Sequence, residues 1–318
     1  MRLKTTVKKI SDIPGILTVV ALAVLLVVFS NTSEYFFTSQ NMLAILLSAS
    51  TVSFIGIGQF MNVLCGYFDM SVGNVAAMSG VIYALLVKDA GMSVPLAIMV
   101  SLFFGLFSGA IAGFCVSRLN TNAWVTTFAL MQIYRGILFV LTGGQSITLK
   151  NNEAFRFLGT YKLFGFVQMP IALMIILFVF FFLLLRYTRI GRSVYCVGNN
   201  QEAAHISGLD VANTKLFCFL VTGFMAALSG IVFTARINSA QPNLGATYAM
   251  DTIAAAVVGG TRMGGGRGNI WGAFVGIIIV YVIQNGLIMS GLDSYYHYIA
   301  TGLIMFFAVL SQTERIKK

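Results

Sequence analysis

Long apolar runs alternate with short polar segments along the whole chain. Ten of the runs approach or reach the roughly 20 residues that a helix needs to cross a hydrocarbon core of about 30 Å. A bilayer offers unpaired backbone groups no water, and the alternating pattern of a membrane barrel is absent, so the runs must be helices. The pattern predicts an all-α integral membrane protein with about ten transmembrane helices, at residues 13–31, 41–64, 71–88, 93–116, 122–142, 168–186, 214–235, 248–261, 269–290 and 295–311.

Only two polar segments are long enough to hold further structure. They run from about Gly143 to Val167 and from about Tyr187 to Thr214. Each is shorter than the roughly 40 residues that even a stapled domain needs. We therefore expect a single transmembrane domain over residues 1–318, with a cytoplasmic coupling loop at about 187–214, and energy supplied by another chain.

Composition indicates that lipid surrounds most of the protein, and the charge distribution predicts its orientation in the membrane. Hydrophobic residues make up 58% of the chain and charged residues 9%, which is too little charge for a protein surrounded by water. The net charge of +10 does not indicate a nucleic-acid partner, because the basic residues lie in short loops between apolar runs. Fourteen of the 20 lysines and arginines fall on the side of the N-terminus and five on the other. The positive-inside rule then predicts that both termini are cytoplasmic.

The N-terminus also has features of a secretory signal, since basic residues precede the apolar run Ile16 to Phe29. The segment Ser30 to Ser33 that follows lacks the small-residue pattern of a cleavage site. We interpret this run as an uncleaved first span, with cleavage as the alternative.

The inner polar loop predicts a short helix at its centre. Asn199 or Asn200 can cap it, Glu202 favours its positive N-terminal end, and Gly208 is a suitable stop after its last turn. Glu202-Ala203-Ala204 followed by Gly208 resembles the E-A-A-x-x-x-G coupling motif of ABC importer permeases. The resemblance implies that this stub docks into an ATP-binding subunit, through Asn199, Gln201, Glu202, Ala203, Ala204 and Gly208. A plain amphipathic connector between two spans is the alternative for this motif taken alone.

A second motif lies between the second and third spans. The residues from Gly66 to Gly73 resemble the G-G-x-D-L-S-V-G signature of the ribose-type sugar permeases, with departures at Tyr67 and Met70. An aspartate between two apolar runs is costly in lipid unless it caps a helix or faces water. Asp69 and Ser71 are placed to cap the helix that begins near Val72, and direct contact with the solute is the alternative.

The third motif is a glycine-rich segment over residues 248–268. It resembles the family pattern Y-E-L-D-x-I-A-A-x-V-x-G-G-x-x-x-x-G-G-x-G, with Ala249 in place of the acidic residue. A nucleotide site fails on spacing, because no G-x-x-x-x-G-K-[ST] is present and no strand precedes. A tight inner turn and close helix contacts explain the glycines. Asp251 lies near the start of this span, and Asp69 lies just before the third span. The similarity suggests an inverted repeat, which would place a path at the bilayer midplane, with no repeat as the alternative.

The fifth span carries a charge inside an apolar run. Arg135 costs on the order of 2.5 to 3.5 kcal/mol there, so helix carbonyls, Gln132 or a water-filled path must compensate it, unless it snorkels outward. The start of the span resembles the polar start of this helix in the family, although T-L-G is replaced by Thr-Phe-Ala. The candidates for the translocation path or helix breaks are Asp69, Ser71, Asn122, Trp124, Thr126, Thr127, Arg135 and Asp251.

No pattern indicates catalysis or a bound metal. His205 and His297 are far apart in the sequence, which gives no metal site. The sequence also lacks H-E-x-x-H, G-x-S-x-G and paired aspartates, so a membrane-embedded enzyme is disfavoured. The four cysteines lack metal-like spacing and are interpreted as small buried hydrophobes: Cys65, Cys115, Cys196 and Cys218.

Together the three motifs imply a permease subunit of an ABC importer in the bacterial inner membrane. Its expected partners are an ATP-binding subunit that holds ATP and Mg²⁺, a soluble solute-binding protein outside, and a second permease, identical or paralogous. The chain itself is expected to bind no cofactor, and the solute is expected to be a monosaccharide. The alternative is a stand-alone secondary carrier or channel, which would place ionisable groups at the midplane.

Overall fold

The computed structural model describes residues 16–149 and 152–316 and is almost entirely helical. Six helices in this part are long and apolar enough to cross a membrane: α2 (Ser39–Leu64), α4 (Val94–Ser117), α5 (Ala123–Thr142), α7 (Met169–Tyr187), α10 (Val211–Ile237) and α12 (Ile270–Met289). Four further apolar segments belong to α1 (Ile16–Thr32), α3 (Val72–Lys88), α11 (Tyr248–Val258) and α13 (Tyr296–Ile316).

The remaining elements are short, and all but β4, which follows α10, belong to the two long polar segments. The first segment, from about Gly143 to Val167, holds α6 (Glu153–Thr160) and a hairpin of β2 (Lys162–Leu163) with β3 (Val167–Gln168). Strand β1 (Ile147–Thr148) pairs antiparallel with β4 (Ser239–Ala240), with Ile147 opposite Ala240. The second segment, from about Tyr187 to Thr214, holds α8 (Arg189–Asn199) and α9 (Gln201–Ile206).

Helix α10 lies at the centre of the bundle, packed against α2, α3 and α4. Small residues let these backbones approach closely, as is usual where helices pack in lipid. A Cβ atom on Gly223 of α10 would lie 2.9 Å from the Cα of Gly109 in α4, and one on Gly230 would lie 3.0 Å from the Cα of Ala76 in α3. Helix α5, by contrast, buries only Ala123, Thr127, Tyr134 and Leu138 and lies at the edge of the bundle.

The predicted apolar runs agree with the observed helices to within a few residues. The run at 214–235 is α10, which extends to residues 211–237, and the run at 248–261 ends earlier, at Val258, before Gly259 and Gly260. Residues 13–15 of the first run, the basic N-terminus and residues 317–318 lie outside the described residues.

One expectation needs correction and another was incomplete. The segment at 187–214 holds the expected short helix, α9, and also α8, which is amphipathic, with Val194 and Val197 buried and Arg192 exposed. The cysteines are not all buried: Cys65 and Cys218 are, Cys115 is partly exposed and Cys196 is exposed. Cys196 lies on the polar side of α8, a face that the apolar pattern of the spans does not reveal.

Candidate functional site

The stub predicted to dock on a partner is helix α9. Of the two predicted caps, Asn200 caps it, its Oδ1 accepting a hydrogen bond from the Ala203 N–H at 2.9 Å, while Asn199 ends α8. The stop is at Gly208, whose φ of +79° is a left-handed conformation that suits glycine.

Most of α9 is exposed on the surface of the chain. Gln201, Glu202, Ala203 and His205 are exposed, and Ile206 keeps 80% of its surface accessible. Ala204 is buried against the chain, whereas Ala203 is exposed, so the two alanines do not lie on one docking face. An exposed helix that combines Glu202 with an apolar Ile206 is suited to a protein contact.

Four glycines hold the base of α9 against two other parts of the chain. We call this cluster the glycine junction: Gly66, Gly198, Gly265 and Gly266. Gly265 and Gly66 have φ values of +80° and +89°, and a Cβ atom on Gly265 would lie 2.8 Å from both the Gly198 carbonyl oxygen and the Gly66 nitrogen. The close backbone contacts of the junction leave no room for a side chain, which explains why the third motif has glycine at positions 265 and 266.

Two hydrogen bonds reinforce the junction. The Gly266 N–H donates to the carbonyl of Leu64, at the end of α2, at 2.8 Å. The Tyr195 hydroxyl of α8 donates to the Gly268 carbonyl at 3.0 Å. Burial raises the pKa of Tyr195, which keeps its hydroxyl protonated as a donor. The coupling loop, α2 and the segment after α11 are thus joined at one point.

Tyr67 makes a further link to α9 that the sequence did not predict. Gln201 Nε2 donates to the Tyr67 hydroxyl at 2.8 Å, and Lys215 Nζ lies 5.2 Å from the centroid of the Tyr67 ring. The ring also packs on Phe219 of α10, with centroids 6.4 Å apart. The only signal in the sequence was that Tyr67 departs from the family signature.

Asp69 lies in a tight break between α2 and α3 and is 2% exposed. Its Oδ1 accepts from the Ser71 N–H at 2.8 Å and from the Ser71 hydroxyl at 2.6 Å. The predicted side-chain cap of α3 is therefore not formed: Asp69 bonds to Ser71, and the hydroxyl of Ser71, at the N-cap position, donates to Asp69 and accepts from no N–H of α3.

The side chain of Gln59 clamps the backbone of this break. Its Nε2 donates to the Asp69 carbonyl at 3.1 Å, and its Oε1 accepts from the Asp69 N–H at 3.2 Å. Gln59 lies five residues before the end of α2, about 7.5 Å along the helix axis at 1.5 Å per residue. The chain therefore turns back alongside α2 before α3 begins.

Helix α5 holds the same break from the other side. The Thr127 hydroxyl accepts from the Met70 N–H at 3.0 Å and donates to the Ala123 carbonyl at 2.8 Å. Asn74 Nδ2, in the first turn of α3, donates to the Met131 carbonyl at 2.7 Å. The structure thus brings Thr127 together with Asp69 and Ser71.

The other candidates on α5 lie apart from this break. Asn122 caps the helix, accepting from the N–H groups of Trp124 and Val125, and is exposed. Trp124 is half exposed and stacks on Phe128, and Thr126 is bonded to Thr121.

Arg135 is exposed on the surface of the single chain. Its guanidinium carbon lies 5.9 Å from the centroid of Phe139, one turn further along α5. A cation over an aromatic ring compensates part of the cost of the charge.

Asp251 belongs to a second buried polar cluster. It is 4% exposed, and its Oδ1 accepts from the Thr301 hydroxyl at 3.4 Å and lies 3.7 Å from His297 Nε2. This cluster joins α11 to α13. Asp251 also lines a cavity of about 250 Å³ together with Arg236 and Tyr281.

The two aspartates do not share one site, but the segments that carry them meet. A Cβ atom on Gly245, just before α11, would lie 2.6 Å from the carbonyl oxygen of Gly73 in the first turn of α3. The starts of α3 and α11 are therefore in contact, and the inverted repeat stays a prediction. Across residues 16–149 and 152–316, no three histidine, cysteine, aspartate or glutamate side chains are grouped as metal ligands would be.

Residues 41–309 match the protein family described as branched-chain amino acid transport system, permease component. The chain therefore belongs to this family: it is a multi-pass inner-membrane permease and not an enzyme, and ATP hydrolysis in such importers belongs to a separate subunit. Permeases of these importers function with ATP-binding and solute-binding partners.

Curated relatives narrow the branch. The ribose import permease protein of Haemophilus influenzae is 37% identical over 295 residues, which cover 92% of this chain and 91% of the relative. The ribose import permease protein of Escherichia coli K12 is 33% identical over 299 residues, covering 93% and 92%. The L-arabinose transport system permease protein of Escherichia coli K12 is 32% identical over 299 residues, covering 92% and 88%. No solved structure matches the chain. The predicted membership of the sugar branch of ABC importer permeases is confirmed.

Proposed function

We propose that this chain imports a monosaccharide as the membrane-spanning subunit of a transporter powered by a docked ATP-binding subunit. A soluble binding protein delivers the sugar from outside. The observation that carries this proposal is α9, a capped and exposed helix whose base is fixed at the glycine junction. The relatives named for ribose and L-arabinose support the solute class.

We propose that the chain crosses the membrane ten times with both termini in the cytoplasm. The six long and four shorter apolar helices of the described residues support this count. With this orientation α9 and the glycine junction lie on the inner face, where the positive-inside bias places the loop.

The coupling residues take different roles in this proposal. Gln201, Glu202 and Ala203 contact the ATP-binding subunit, because they are exposed on α9. Asn199, Ala204 and Gly208 shape the base of the helix. ATP and Mg²⁺ bind to the partner, and their binding shifts the permease between outward-open and inward-open packings through differential affinity.

The translocation path is proposed to run along α5. Asn122, at the start of this helix, and Arg135 within it have exposed polar side chains that are costly in lipid, and Thr126 is half-buried. Few residues of α5 are buried in the single chain. A second permease, identical or paralogous, covers this face and shares the path with it, and Trp124 lies at its inner end. The break at Asp69, Ser71 and Thr127 moves with it, because Thr127 bonds to the backbone of the break.

Reconstitution with the two partners tests the proposal. We expect Glu202→Arg and Gly208→Arg to abolish solute-stimulated ATP hydrolysis and uptake while the permease stays folded. Glu34→Arg, at an exposed carboxylate between α1 and α2, is the matched control and should leave coupling unchanged. Coupling that survives both inner-face substitutions would refute the mechanism.

One observation favours the alternative of a stand-alone carrier. The buried pair of Asp251 and His297 is an ionisable cluster of the kind that proton-coupled carriers use. Uptake by the permease alone in vesicles, driven by a proton gradient, would establish this alternative and exclude the proposal above.

A further inference from the structure

A charged groove runs beside the coupling helix. Its volume is about 720 Å³, and it lies between α9 with the start of α10 on one side and the turn that joins α4 to α5 on the other. Gln201, Glu202 and His205 of α9 line one wall, Arg118 lines the other, and Lys215 of α10 also lines the groove. Any protein that docks on α9 will therefore cover this groove.

Lys215 is an unusual lining residue because it is only 7% exposed. Burying an ammonium group is costly unless it is paired with an opposite charge. Within the part of the chain that the structure describes, the one contact within 4.0 Å between a basic and an acidic side chain is that of His297 with Asp251. Lys215 has instead the ring of Tyr67, 5.2 Å from its Nζ, which compensates only part of that cost.

The other charges of the groove leave Lys215 without a carboxylate. Both carboxylate oxygens of Asp210 accept hydrogen bonds from Asn213, one from its backbone and one from its side chain. Glu202 is exposed on α9 and forms no ion pair with Lys215. Arg118 adds a second cation, and its Nη2 donates to the neutral Asn213 amide oxygen at 2.6 Å.

We infer that a carboxylate side chain of the ATP-binding subunit enters this groove and pairs with the ammonium of Lys215, with Arg118 at the rim. This inference rests on the proposed function and adds a contact beyond α9 itself. A protein is favoured over an anionic lipid because α9, the proposed docking helix, forms a wall of the groove. The bond between Gln201 and Tyr67 holds that wall in place against the ring beneath Lys215.

A zero-length cross-link tests the pair directly. A water-soluble carbodiimide joins an amine and a carboxylate in contact as an amide, with loss of water. In the assembled complex we expect a cross-linked peptide that contains Lys215 and an aspartate or glutamate of the ATP-binding subunit. Lys215→Arg should lose the cross-link and keep assembly, and Lys162, exposed on the outer face, should give none. A cross-link from Lys215 to this chain's own Glu202 or Asp210 would overturn the inference.

Salt dependence provides a second test. Lys215→Gln should weaken binding of the ATP-binding subunit on the order of thirtyfold at low ionic strength and flatten its salt dependence, whereas Lys215→Arg should retain both. Equal affinity and equal salt dependence for the wild type and Lys215→Gln would refute the pair. The melting temperature of the permease alone shows whether each variant is folded. If Lys215→Gln does not fold, the cross-link in the wild-type complex decides whether the ion pair exists.

The outcomes also separate this inference from the function on which it rests. If the wild-type complex assembles and Glu202→Arg uncouples it, but Lys215 gives no cross-link, only the inference fails. If the wild-type chains do not assemble, the proposed function fails and the inference with it. If anionic vesicles protect Lys215 of the permease alone from amine acylation and the ATP-binding subunit adds nothing, the groove binds a lipid headgroup and the inference is wrong.

Discussion

Replacing Gly266 by alanine should uncouple the permease without unfolding its membrane bundle. The new Cβ atom would lie 2.5 Å from the Cα and 2.7 Å from the N of Asn199, the residue directly before the cap of α9. Overpacking of this kind costs about 1 to 3 kcal/mol. The φ of +73° adds a further 1 to 2 kcal/mol or so for a residue with a side chain. The sum, roughly 2 to 5 kcal/mol, acts at the base of the coupling helix.

Two matched controls separate the steric cost from the backbone cost. Gly260, in the same segment, has a φ of +88° but open space around its Cβ position, so Gly260→Ala carries only the backbone strain. Gly302 in α13 has neither a positive φ nor a close neighbour, so Gly302→Ala should be neutral or slightly stabilising.

The assay is solute-stimulated ATP hydrolysis of the reconstituted complex, with thermal unfolding of the permease measured in parallel. We expect Gly266→Ala to lose at least tenfold in stimulation, Gly260→Ala to lose less, and Gly302→Ala to match the wild type, since 1.4 kcal/mol corresponds to a factor of ten. If Gly266→Ala and Gly260→Ala behave alike, the contact with Asn199 does not transmit coupling, and the role given to the glycine junction is wrong.

Two further substitutions test single hydrogen bonds at the inner face and at the helix break. Tyr67→Phe removes the hydrogen bond from Gln201, which is worth roughly 0.5 to 1.5 kcal/mol, and should lower solute-stimulated ATP hydrolysis by about two- to tenfold. The control Tyr187→Phe, at an exposed tyrosine, should leave this activity unchanged. A double-mutant cycle with Gln201→Ala that gives no coupling energy would contradict this link. Thr127→Val leaves the buried Met70 N–H without its acceptor and should destabilise the permease by about 1 to 3 kcal/mol in thermal unfolding. The control is Thr126→Val, at a half-buried residue whose hydroxyl bonds to the exposed Thr121, and it should cost less than about 0.5 kcal/mol. Equal shifts would show that Thr127 does not hold the break.

These tests address one chain of contacts that runs from the inner face into the bundle. Gln201 on α9 bonds to Tyr67, which lies two residues from Asp69. Asp69 is clamped by Gln59 and contacts the start of α3 through Ser71. A displacement of the docked helix thus has a direct route of bonded and packed groups to the break. Coupling over such a route requires an element with two arrangements, and the broken start of α3 is the segment best placed to provide it.

Features that depend on neighbours in the sequence were predictable from the sequence. The helices follow from the length of the apolar runs, because lipid forces the backbone to satisfy its own hydrogen bonds. Gly208 ends its turn as expected, and Asn122 and Asn200 cap their helices, because a cap bonds to an N–H only two or three residues ahead. The three motifs were sufficient to indicate the family.

Features that depend on which helix faces share an interface required the tertiary structure. Tyr67 meets Gln201 across 134 positions, and Asp251 meets Thr301 across 50, and no local pattern specifies either pair. The pattern of an apolar run does not distinguish a central helix, such as α10, from a peripheral one, such as α5. In the sequence Lys215 is one of several basic residues of the predicted inner side, and only the tertiary structure shows that it is buried beside the Tyr67 ring. The physical reason is that a lipid-compatible surface and a packed core have the same composition, so burial is decided by the arrangement of the helices and not by their sequence.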